Sequence, residues 1–110
     1  MTRKAKKYLF DILTAIQNIQ DFHLSGIDSL QDFEEDVTAM RAVERELEII
    51  GEAAYRLRKL DIHLTQADEL INRRNTIIHQ YDGFHPKAIW YFVAKKLQRL
   101  KEETSQVLNS

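Results

Sequence analysis

Apolar residues in this chain recur every three or four positions almost throughout its length, and that period predicts an all-α fold. Tyr8, Ile12, Ala15, Ile19 and Phe22 form a first stripe, with Leu9, Leu13 and Ile16 beside it. Ser25-Gly26 ends that helix, and a short helical turn from Ser29 to Phe33 comes next, with Asp28 as its expected cap. Asp36 is placed to cap the longest helix, which runs to about Leu60. Its seam is Met40, Val43, Leu47, Ile50, Ala54 and Leu57, alternating steps of three and four as in a helical bundle. Gly51 lies inside this helix, where glycine costs about 1 kcal/mol relative to alanine. The usual reason to accept that cost is the close approach of another backbone or a ligand. Thr65 and Asp68 have the spacing of a capping box for a further helix that carries Ala67, Leu70, Ile71, Ile77 and Ile78. Gly83 and Pro86 mark the start of a last helix, which buries Ile89 or Trp90, Val93, Leu97, Leu100 and Val107. The expectation is one domain over residues 1–110, an antiparallel four-helix bundle with an additional short helix.

Composition narrows the function. A hydrophobic fraction of 44% supports a core. The absence of cysteine removes disulfides, thiol catalysis and thiolate metal sites, and leans towards a reducing compartment. The basic opening, Arg3-Lys4-Ala5-Lys6-Lys7, resembles the start of a signal peptide. Asp11, Gln17, Asn18 and Asp21 interrupt the apolar residues after it, so neither an export signal nor a membrane span is expected, and the cytoplasm is the expected location. Charge is unevenly spread. Residues 28–52 carry nine acids against Arg41 and Arg45, whereas residues 53–101 carry ten bases against four acids. A basic half can attract a polyanion although the whole chain has a net charge of -1. Met40 and Trp90 read as core residues, and His23 and His63 as surface residues without a partner pattern.

One segment departs from the scaffold pattern: Asn72-Arg73-Arg74-Asn75-Thr76-Ile77-Ile78-His79-Gln80-Tyr81-Asp82-Gly83. Continuing the stripe of Ala67, Leu70 and Ile71 puts Arg74 and Ile78 on the apolar face. An arginine there requires a carboxylate, a partner chain or an anionic ligand. His79 lies five residues on, a net rotation of about 140° from Arg74 on an ideal helix. Either the helix breaks near Tyr81-Asp82-Gly83, or the two side chains converge from different chains. His79 can take a proton in one step and return it in another. Arg74 offers a fork of donors matched to a phosphate. Asn75 adds a neutral donor and acceptor on the face of His79, and Tyr81 a phenol and an aromatic surface. Imidazole and guanidinium suffice for metal-free RNA cleavage, in which the ribose 2′-hydroxyl attacks the adjacent phosphate. His79, Asp82 and His85 have a tempting spacing for a metal. With no fixed helix through Gly83 and no carboxylate cluster, no metal or other cofactor is expected.

The string Arg74-Asn75-Thr76-Ile77-Ile78-His79-Gln80-Tyr81 resembles the Arg-x-x-x-x-His-x-Tyr signature of HepT-like toxins in the HEPN superfamily. The stretches Tyr8-Leu9-Phe10-Asp11-Ile12-Leu13-Thr14-Ala15-Ile16 and Leu47-Glu48-Ile49-Ile50-Gly51-Glu52-Ala53-Ala54 are similar to the same family. The resemblance implies a HEPN-like helical homodimer with two motifs facing one cleft and metal-independent endoribonuclease activity on RNA. It implies a toxin whose cognate MntA-like nucleotidyltransferase antitoxin adds AMP to the motif tyrosine. Carried over, Arg74 and His79 are catalytic, Asn75 is supporting and Tyr81 is the modified residue. Glu52 either orients Arg74 or is an ordinary surface acid. The alternative is a non-catalytic, nucleotide- or phosphate-binding partner subunit of a nucleotidyltransferase, in which the same donors hold a phosphate without cutting beside it.

Overall fold

In the computed structural model, which describes residues 1–72 and 85–110, the first helix begins where a side chain satisfies its free amides. Thr2 Oγ1 accepts from the Ala5 amide at 3.0 Å and opens α1, Arg3–Gln17. Ala5, Leu9, Ile12, Ala15 and Ile16 are buried along one stripe of it. The chain then continues as a π-helical turn, Asn18–His23. This turn corrects one expectation. A π-turn uses more residues per turn than an α-helix, so the residue four beyond Ile19, not three beyond it, falls on the inner face. Phe22 is therefore 66% exposed. His23 takes the inward place and shares a 2.9 Å hydrogen bond with the carboxylate of Glu46. His23 is thus partnered, against expectation; His63 is exposed but also partnered, 2.6 Å from Asp68. Gly26, at φ +80°, makes the next turn.

Helix α2, Leu30–Glu35, is capped by Ser29 rather than by the expected Asp28, its hydroxyl accepting from the Asp32 amide at 3.1 Å. Asp36 caps α3, Val37–Lys59, as expected, with Oδ1 3.0 Å from the Ala39 amide. Val43, Leu47, Ile50, Ala54 and Leu57 of its seam are buried, and Met40 packs at the edge of the core. Glu44 sits on the outer part of this helix. Partial burial and, secondarily, the charge of Glu48 raise its carboxyl above the ordinary value, with Arg41 opposing them.

The next helix opens as a 3-10 turn, Thr65–Ala67, and continues as α4, described over 68–72. The expected capping box does not hold it. Glu103, far along the chain, accepts from the amides of Thr65 and Gln66 at 2.9 Å each, while Asp68 turns to His63. Pro86 stands in the first turn of α5, Pro86–Lys95, and His85 Nδ1 accepts from the Lys87 amide at 3.2 Å.

The last helix does not run unbroken, as its spacing predicts. It breaks at Lys96, where φ is -120°, and resumes as α6, Leu97–Leu108. At the break the Lys96 ammonium lies 2.7 Å from Glu69 of α4. The offset lets Ile89 and Phe92 of α5 and Leu97 and Leu100 of α6 all reach the core. Trp90 is half-buried and tilts against Phe33 of α2, with ring centroids 5.5 Å apart. Thr104, a buried polar residue of α6, returns its hydroxyl to the Leu100 carbonyl at 2.7 Å.

Among the described residues every regular element is helical, arranged as the expected bundle with an additional short helix. α1 packs along α3 and α6, and α5 packs over α2. α1 packs along α3, and His23, just beyond α1, reaches Glu46 in the first half of α3, so the two run antiparallel. No helix among the described residues is long and apolar enough to cross a membrane.

Candidate active site

Of the residues proposed from sequence, Glu52 lies among the described residues. Arg74, Asn75, His79 and Tyr81 lie outside them, as does Asp82. What the structure supplies is the frame on either side: α4 carries the chain to residue 72, and α5 takes it up at Pro86.

Gly51 sets the first side of that frame. A Cβ built on it would sit 2.9 Å from the Leu70 carbonyl oxygen and 3.3 Å from the carbonyl carbon. Only a residue without a side chain lets α4 cross α3 this closely, so the partner of Gly51 is a backbone rather than a ligand. Ala67, Leu70 and Ile71 are buried at the crossing. The helix leading into the motif is thereby seated one residue along the chain from Glu52.

Glu52 is half-exposed, and its Oε1 accepts from Arg56 Nε at 3.0 Å along α3. Two contacts that sequence reasoning missed fix the same region. The Lys96–Glu69 pair ties α4 to the junction of α5 and α6, and Glu103 holds the start of α4. Neither has a local signal, because both partners are brought together by the tertiary fold. Glu46 did leave a trace: it is three residues beyond Val43 on the seam and only 8% exposed. An acid in that register requires a partner, which His23 supplies. Of the residues considered for a metal, His85 is engaged as the cap of α5.

This helical frame, with an Arg-x-x-x-x-His-x-Tyr motif in the sequence between α4 and α5, defines the class to which the comparisons point. The profile described as "Ribonuclease HepT-like" matches residues 12–107, a stretch containing Glu52 and the whole of the 74–81 motif. A provisionally named RNase of Caldanaerobacter subterraneus subsp. tengcongensis is 34% identical over 106 residues, covering 94% of this chain and 93% of that protein. The probable ribonuclease HepT of Thermococcus cleftensis is 33% identical over 105 residues, covering 92% and 93%. No solved structure matches the chain at comparable stringency. The chain belongs to the HepT-like ribonuclease family.

Proposed function

We propose that this protein is a metal-independent endoribonuclease whose working groups are Arg74 and His79, brought together at the cleft of a homodimer. The observation that carries the reading is the family match over residues 12–107, which takes in the motif and both of its flanks. The RNase names of the relatives support an RNA substrate.

In the proposed reaction His79 accepts the proton of a ribose 2′-hydroxyl as O2′ bonds to the adjacent phosphorus. The bond from phosphorus to O5′ then breaks, and O5′ leaves with the proton that His79 returns, giving a 2′,3′-cyclic phosphate and a 5′-hydroxyl. Arg74 holds the non-bridging oxygens as their charge builds up, and its fixed fork suits that geometry better than a lysine would. Asn75 supports the substrate from the His79 side, and Glu52 orients Arg74. Phe10 and Phe22 are more than half exposed, apolar surface that a second copy can cover.

The proposed biological setting is a cytoplasmic toxin–antitoxin pair. An MntA-like nucleotidyltransferase adds AMP to Tyr81, placing bulk and negative charge where the substrate phosphate would sit. Wild-type protein is expected to degrade RNA in EDTA, and His79→Ala to lower the rate at least about 100-fold with an unchanged circular dichroism spectrum. A folded His79→Ala that cuts at the wild-type rate removes His79 from the mechanism. RNA left intact by a dimeric wild type free of Tyr81 adducts favours the phosphate-binding alternative.

A further inference from the structure

The proposed chemistry makes no use of the first two turns of α1, where Arg3, Lys4, Lys6 and Lys7 are all exposed. They belong to an ordered helix, started by Thr2, and not to a loose tail. No acid stands in that first turn. A helix N-terminus favours acids, so four bases there work against the helix that carries them. Local stability therefore gives no reason for them.

A second set of cations lies at the same end of the bundle. Because α1 and α3 run antiparallel, the start of α1 shares an end with the last turn of α3, which carries Arg56, Arg58 and Lys59. Aromatic rings help to place these charges. Lys59 Nζ is 4.8 Å and Arg58 Cζ 5.9 Å from the Tyr55 ring centroid, and Lys7 Nζ is 5.4 Å from that of Tyr8. The nearby acids are Asp11, Glu52 and Asp61, which lies two residues beyond Lys59. Asp11 pairs with Lys7 at 2.8 Å, raising the ammonium above its ordinary value by that hydrogen bond, and Glu52 pairs with Arg56. Among the described residues, Arg3, Lys4, Lys6, Arg58 and Lys59 have no acidic partner. Acids gather instead towards α2 and its flanks, at Asp28, Asp32, Glu34, Glu35 and Asp36.

We propose that this basic end is a second contact surface for the RNA backbone, holding the strand beyond the point of cleavage without reading its sequence. The proposal rests on the ribonuclease reading and extends it to substrate length. From Gly51, where α4 crosses, to Lys59 is about 12 Å along α3, with the start of α1 beyond. A strand running from the α4 crossing covers Arg58 and Lys59 within a few nucleotides and must be longer to reach the start of α1. Unpaired cations spread over an ordered surface suit a flexible polyanion, with tyrosines interleaved as on single-strand binding surfaces.

The test measures binding apart from cleavage, using fluorescently labelled 2′-O-methyl RNA, which lacks the attacking hydroxyl. Oligomers of four and twenty nucleotides are titrated against wild type, R3E/K4E/K6E and R58E/K59E. Acids at the start of α1 favour its helix, so the triple variant is expected to fold, and circular dichroism checks both proteins. Each variant is expected to bind the 20-mer about tenfold or more weakly, with a shallower salt dependence, and to lose less affinity for the 4-mer. Unchanged 20-mer affinity in both variants overturns the proposal. So does a variant that loses self-association by sedimentation while keeping its RNA affinity, which would assign the basic end to the acidic end of a second copy. A failure of the cleavage chemistry is read separately, because His79→Ala leaves this surface intact.

Discussion

The α1–α3 pair and the α4–α5 shoulder are held in different ways. α1 and α3 meet along an apolar seam in which Leu9, Ile12, Ile16, Leu47, Ile50 and Leu57 are all buried. The shoulder also buries Ala67, Leu70, Ile71, Ile89 and Phe92, but specific contacts set its position: the Gly51–Leu70 approach, Glu103 on two amides, and Lys96 with Glu69. A seam spreads its stability over many contacts and tolerates small shifts. Specific polar and close-packed contacts fix position, and those of the shoulder bracket the motif in the sequence. The seam should therefore govern stability, and the shoulder activity.

Leu57→Ala removes a fully buried seam residue and is expected to lower stability by about 2–5 kcal/mol in urea unfolding. The molecules still folded should cleave RNA at the wild-type rate; a drop in kcat larger than the folded fraction explains would blur the comparison. Gly51→Ala is next. The new methyl meets a backbone carbonyl that cannot swing aside, so a net loss of about 1–2 kcal/mol is expected despite better helix propensity. Here kcat/KM should fall more than stability predicts, because α4 must move. Full activity in a folded Gly51→Ala protein would detach this crossing from the site.

Glu103→Ala leaves the amides of Thr65 and Gln66 without their acceptor and is expected to cost about 1 kcal/mol, a typical loss for a helix cap. Hydrogen exchange should quicken at the start of α4 and not in α1; uniform quickening would mean that Glu103 serves the whole bundle.

The smallest effect belongs to Glu44. Its folded carboxyl is raised, so the folded state holds the proton more readily than the unfolded state, and stability on its account falls as pH rises through that window. Glu44→Gln should therefore be slightly more stable than wild type at neutral pH. Solvent screening keeps the gain within about 0.5 kcal/mol. The gain should vanish below the ordinary carboxylate range, where both states are protonated. A gain that persists in acid has some other origin.

The same contrast explains what the sequence revealed. The α3 seam and the Asp36 cap were legible because period and capping are local. The π-turn was not, since Phe22 fits an α-helical stripe as well as any residue and only the ladder turns His23 inward instead. The break at Lys96 was hidden for a similar reason: Ile89, Val93, Leu97 and Leu100 keep helical spacing straight through it. Glu103 and Glu69 act across long separations, so no window of sequence contains them with their partners. For Gly51, sequence posed the question of backbone or ligand, and the fold answered it with Leu70. The chemistry proposed for Arg74, His79 and Tyr81 rests on residue types and on the resemblance. The frame around them emerges only from how the helices meet.

The most direct measurement is the chemistry of the ends left on a defined RNA cut in EDTA, read by mass spectrometry. Attack by the neighbouring 2′-hydroxyl predicts 2′,3′-cyclic phosphate and 5′-hydroxyl ends, absent when the residue before the cut is 2′-deoxy. Ends bearing 5′-phosphate and 3′-hydroxyl, or cutting that persists at the 2′-deoxy position, would contradict it.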